Sequence, residues 1–128
     1  MGLKEKVREM NLDWLTQNNH KISLEAFIEK WKAGEAILLD VRSDEEAELF
    51  SLEAFGVRIP LHQLPDRLGE LPKDKLVCPM CPGKIRATLA YAVLIDSGFE
   101  NAKVLASTPA ELVDYLKPPV AKKLVRGE

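Results

Sequence analysis

Apolar and polar positions along this chain alternate between two periods, one helical and one extended. Leu3, Val7, Met10, Trp14 and Leu15 recur at helical spacing and predict an amphipathic helix over residues 4–18. Asn18, Asn19 and His20 break it, and Ile22 marks a short extended piece. Ser23 stands where an N-cap is needed, before a helix that carries Leu24, Phe27, Ile28 and Trp31 on one face and ends near Gly34. Ala36-Ile37-Leu38-Leu39 is an unbroken apolar run, the pattern of a strand covered on both faces of a parallel sheet.

Ser43-Asp44-Glu45-Glu46 then spells a capping box and predicts a short helix through Phe50. Val57-Arg58-Ile59 is a second strand closed by Pro60, followed by a helical segment with Leu61, Leu64 and Leu68 that Pro65 interrupts. After a turn over residues 72–75, Leu76-Val77 begins another strand. Residues 84–97 read as a helix that is apolar almost all round and so well buried, with Gly98 as its C-cap. Lys103-Val104-Leu105 is a last strand. Thr108-Pro109-Ala110-Glu111 caps a final helix, which Pro118-Pro119 ends, leaving a basic tail. Strands alternating with helices predict an α/β domain built on a mainly parallel sheet.

Composition narrows the field. A chain of 128 residues, 46% hydrophobic and 30% charged, suits one folded domain. A net charge of −2 with mixed signs lacks the concentrated basic face that nucleic acid requires. The charged N-terminal stretch has no signal-peptide core, and no run approaches the roughly 18 apolar residues of a membrane span, so a soluble cytoplasmic protein is expected. His20 and His62 lack ligand spacing to each other or to the two cysteines, and no metal is expected.

The candidate chemistry lies in Cys81-Pro82-Gly83-Lys84-Ile85-Arg86, between a buried strand and a buried helix. In parallel α/β sheets the site sits beyond the carboxyl ends of the strands, where a loop enters a helix. Unpartnered amides and the positive end of the helix favour a thiolate there, which makes Cys81 a candidate nucleophile and sulfur carrier. Gly83 lets the loop curl and leaves room for a ligand, while Lys84 and Arg86 add charge for a thiolate or an anionic donor. Cys78, in CPMC, is a candidate resolving thiol.

With these residues in view, the chain resembles the rhodanese family from Ile22 to about Leu116. LLDVRSDEEAELF is similar to the family's LLDVR-x-x-x-E-(F/Y), IPLHQLPDRLGELPKDKLV to its INIPL-x-x-L stretch, Cys81 to Arg86 to its C-x4-R active loop, and GFENAKVL to its GF-x-NV-x-x-L. The resemblance implies a doubly wound five-stranded sheet with helices on both faces, and a cysteine that takes sulfane sulfur as a persulfide. It implies Cys81 as nucleophile with Arg86 and Lys84 in support. Pro82, Gly83, Ile85 and Ala87 would complete the binding loop, and Asp40 and Arg42 would be architectural. Phosphatase relatives use a loop one residue longer, C-x5-R, so the four residues between Cys81 and Arg86 favour sulfur transfer. Departures from the family pattern are Ser51 to Gly56 in place of GHI-x-GA, a proline after the cysteine, and Ala106-Ser107 in place of a glycine pair.

The expectation is therefore a thiosulfate or polysulfide sulfurtransferase, or persulfide carrier, that passes sulfur from a small sulfur-containing anion to a thiol acceptor. No cofactor, nucleic acid or membrane is called for, and no oligomeric state is signalled. Two alternatives stand beside it: a non-catalytic rhodanese-like module that binds a partner protein, and a Cys78/Cys81 dithiol–disulfide redox protein. The expected organisation is an N-terminal helical extension over residues 1–20, the domain over 21–117 and a basic tail over 118–128.

Overall fold

Among the described residues, five strands paired in parallel carry the fold. The computed structural model describes residues 2–127, so Met1 and Glu128, the outermost residues of the expected extension and tail, lie outside the described residues. Strand β2 (Ala36–Asp40) lies between β3 (Gly56–Arg58) and β4 (Leu76–Met80), and β1 (Lys21–Ile22) pairs with β5 (Val104–Leu105). The two groups meet where Lys103 N–H donates to the Val77 carbonyl at 3.2 Å, so the expected five-stranded sheet is hydrogen-bonded as a triple and a pair.

Period-two alternation sends successive side chains of β2 and β4 to opposite faces. Leu39, Val77 and Cys81 join one core, packed under helix α5 (Ile85–Asp96). Leu38, Cys78 and Met80 join the other, with Phe27 and Ile28 of α3 (Leu24–Lys32) and with Leu112 of α6 (Pro109–Val113). Helices on both faces and strands buried on both sides match the doubly wound reading.

Gly56 fixes the packing of β3. A Cβ there would stand 2.0 Å from the Leu38 carbonyl oxygen, inside the strand it pairs with, so the position admits no side chain. Asp40 and Arg42, at the end of β2, are buried at 2% exposure each. Arg42 Nε and Nη2 donate to the Asp40 carboxylate at 2.9 and 2.7 Å, Nη2 also donates to the Phe50 carbonyl, and the guanidinium lies 4.6 Å from the Phe50 ring centre. The architectural role expected of this pair agrees with that geometry.

Several local expectations are corrected. The N-terminal helix is two short helices, α1 (Leu3–Arg8) and α2 (Leu12–Thr16), because Asn11 caps the second by accepting from Trp14 N–H. Helix α4 (Asp44–Ala47) keeps its capping box but stops before Phe50. The segment around Pro65 is 3-10 helix over Leu61–Asp66. Helix α5 is not buried all round, since Ile85 and Leu89 are 75% and 53% exposed. Pro118-Pro119 open a helix, α7 (Pro118–Arg126), where a tail was expected: proline fits the first turn, whose N–H groups need no partner within the helix.

Candidate active site

Adjacent strand ends bring two loops together. Asp40 and Met80 are register partners at the carboxyl ends of β2 and β4, and Val41 N–H donates to the Met80 carbonyl. The chain after β2 turns into α4, and the chain after β4 enters the Cys81 loop, so residues 42–50 face residues 81–86.

Cys81 follows β4 directly and is only 1% exposed. Its Sγ accepts the backbone N–H of Ala87 at 3.2 Å. Ala87 is the third residue of α5, and its amide is one that an N-cap side chain ordinarily satisfies. The N-cap here is Lys84, which makes no side-chain cap bond, so the cysteine sulfur takes that place at the positive end of a 12-residue helix. The tight turn belongs to Lys84, at φ 67°, and not to Gly83 as expected, while a Cβ on Gly83 would meet nothing within 4 Å. Pro82, Gly83, Lys84 and Ile85 are exposed around the buried sulfur.

Arg86 does not point its charge freely at an incoming anion. Its Nη1 and Nη2 donate to the two carboxylate oxygens of Glu46 at 2.5 and 2.9 Å. Glu46 also accepts from Ser43 N–H at 2.9 Å in the capping box of α4. The Arg86 hydrogen bonds, reinforced by the Ser43 amide, hold the Glu46 carboxyl at about 2, below its ordinary 4.5. The same contact raises Arg86, with a smaller contribution from Cys81.

Beside the loop runs a groove of about 680 Å³. Its apolar lining is Leu49 and Phe50 from the segment after α4, Pro82 from the Cys81 loop, and Pro109, Val113 and Leu116. Arg42 and Glu46 are its charged lining residues, and each already holds a partner of opposite sign.

The folds of solved proteins identify this arrangement. A human single-domain sulfurtransferase superposes with a TM-score of 0.64 at 23% identity, covering 73% of this chain and 95% of that one. A rhodanese-related protein from Thermoplasma volcanium gives 0.63 at 22% identity over 74% and 91%. The chain has the rhodanese fold. A tRNA sulfurtransferase from Psychromonas ingrahamii is 36% identical over 88 residues, covering 66% of this chain and 18% of that protein. The chain spans only 15% to 19% of the length of the curated relatives it matches. No family model matches it.

Within this rhodanese-like fold the expected site residues are only partly gathered. Cys81 and Ala87 meet directly, while the Arg86 guanidinium is held by Glu46. Cys78 is not brought to the site. Three residues along an extended strand place it on the opposite face, in the other core, at 0% exposure, and burial pushes its thiol up to about 12. Both cysteines are free thiols. Among the described residues, no group of three or more His, Cys, Asp or Glu side chains could hold a metal ion.

The residue read too narrowly from the sequence is Glu46. The capping box accounts for it as a helix cap, yet it also stands at the glutamate of the LLDVR-x-x-x-E segment, the one sequence signal for its second role. The groove walls gave no signal, because they come from two segments that only the fold brings together.

Proposed function

We propose that the chain transfers sulfane sulfur through a persulfide on Cys81. The observation that carries this reading is the Ala87 amide aimed at Cys81 Sγ from the start of α5. The amide hydrogen bond and the helix N-terminus behind it are suited to hold the anionic outer sulfur of a persulfide.

With thiosulfate as donor, the Cys81 thiolate attacks the outer, sulfane sulfur. The new Cys81–sulfur bond forms as the old sulfur–sulfur bond breaks, its electron pair leaves with sulfite, and one proton from solvent completes the persulfide. The terminal sulfur then passes to a thiolate acceptor, which frees Cys81. No external oxidant or reductant is needed. The donor is a small sulfur-containing anion and the acceptor a thiol, in a reducing cytoplasm that suits two free cysteines.

Mass spectrometry after treatment with thiosulfate or polysulfide tests this. Wild type gains one sulfur atom, about 32 Da, removable by cyanide, and Cys81→Ala gains none. The 1% exposure of Cys81 favours one competing reading, a rhodanese-like module that binds a partner without turnover. Identical behaviour of wild type and Cys81→Ala would establish that reading instead.

A further inference from the structure

A second cleft, of about 560 Å³, lies between the N-terminal helices and α5. It shares no lining residue with the groove beside Cys81. Val7 of α1 and Trp14 and Leu15 of α2 line it together with Thr88, Tyr91 and Ala92, which share one face of α5. Val7 is 54% exposed and Leu15 42%, so apolar surface is left uncovered there. Trp14 stacks on His20 with ring centres 5.5 Å apart, which fixes an aromatic stretch of the wall.

The charge on this cleft has one sign. Lys21 and Lys84 are among its lining residues, and no Asp or Glu is. Among the described residues neither ammonium has an ion pair, and both side chains are exposed. Acids on the flanking elements are already engaged: Glu9 pairs with Lys6 at 3.2 Å, and Asp96 accepts Leu3 N–H at 3.0 Å. Burial first, and then Lys21, lowers the His20 imidazole below its ordinary range, so near neutral pH the positive charge rests on the two lysines. Tyr91, only 7% exposed, adds a hydroxyl that no other described residue hydrogen-bonds.

We infer that this cleft binds an amphipathic organic monocarboxylate, its apolar body between α1, α2 and α5 and its anionic head at Lys21 and Lys84. A concavity of this volume suits a small molecule. Burial of the body supplies most of the affinity and grows with each methylene, while each exposed ammonium adds a modest, salt-sensitive share. The site goes beyond sulfur transfer and does not depend on that reading.

Calorimetry of the full chain with decanoate, kept below the concentration at which it self-associates, tests this. One saturable site is expected. Butyrate keeps the head and loses the body, whereas decyltrimethylammonium keeps the body and reverses the head; each should bind at least tenfold more weakly. Lys21→Gln and Lys84→Gln should each weaken decanoate binding at least twofold, and the double variant at least fivefold. Val7→Asp sets a carboxylate in the apolar wall at an exposed position that folding tolerates, and should weaken it at least tenfold. Melting curves check that each variant is folded. No saturable decanoate site, equal binding of decanoate and decyltrimethylammonium, or affinities unmoved by all three substitutions overturns the inference. Sedimentation with vesicles of phosphatidylcholine and phosphatidylglycerol in place of decanoate binding would overturn it in favour of a membrane surface. Dimerisation lost in Val7→Asp, again without decanoate binding, would overturn it in favour of a second copy of the chain.

Discussion

Glu46 and Arg86 clasp each other across 40 residues of sequence, Nη1 to Oε1 at 2.5 Å and Nη2 to Oε2 at 2.9 Å. This fork joins the cap of α4 to the first turn of α5 and so ties the two halves of the site together. Its protonation behaviour is testable. The folded carboxyl sits at about 2 against an ordinary 4.5, so the folded state binds its proton later than the unfolded chain does. The resulting stabilisation is complete above about pH 4.5 and is lost as pH falls towards 2. Both side chains are 36% exposed, and solvent screening keeps the effect to roughly 1 kcal/mol or less. Glu46→Gln should therefore melt a few degrees below wild type at pH 7, with the gap closing near pH 2. Thermal denaturation of both proteins across that range checks it.

Cys78 should behave as a core residue. At 0% exposure and with its thiol pushed up to about 12, it has neither access nor thiolate at neutral pH. Native protein at pH 8 should leave Cys78 unalkylated by iodoacetamide, and full labelling should follow unfolding. Cys78→Ala should lose roughly 1–2 kcal/mol of stability and retain the sulfur adduct on Cys81. A disulfide between the two cysteines in the folded protein would contradict this.

The sheet makes its own demand at Gly56. An added Cβ would stand 2.0 Å from Leu38 O, 2.5 Å from Leu38 N and 2.8 Å from Leu38 C, all backbone atoms that cannot rotate away. Gly56→Ala must push β3 off β2, at a cost of several kcal/mol at the strand that leads to the core residue Ile59. A sharply lower melting temperature or insoluble expression is expected, whereas Gly69→Ala, where a Cβ meets nothing within 4 Å, should express normally.

The α/β class and most element centres were legible because they follow from local chemistry. The run Ala36-Ile37-Leu38-Leu39 is apolar on both faces, and Ser43 and Thr108 each begin a capping box that the structure contains. Cys81 was legible for the same reason, since strand, loop and helix adjoin it in sequence. What depended on distant residues was not. The Arg86 fork needs Glu46, the groove needs residues 49 and 116 together, and the separation of Cys78 from Cys81 needs β4 to stay extended through Met80. The proline pair at 118–119 misled because proline both follows helices and starts them, and only packing chooses.

Lys84 separates backbone geometry from charge in the Cys81 loop. It holds φ 67° and ψ −17°, a left-handed conformation that costs a side-chain-bearing residue about 1 kcal/mol and glycine almost nothing. That turn is what swings the first residues of α5 round, so that Ala87 N–H meets Cys81 Sγ. The ammonium is exposed to solvent, where its attraction for the sulfur is weakened by water and salt. Lys84→Gly should therefore leave the melting temperature equal or slightly raised and keep Cys81 persulfidation within about threefold of wild type. Lys84→Val, β-branched and unsuited to positive φ, should lower stability by roughly 1–3 kcal/mol and slow persulfidation more than tenfold. If glycine instead abolished transfer while the fold stayed intact, the charge of Lys84 and not its backbone would be the contribution this residue makes.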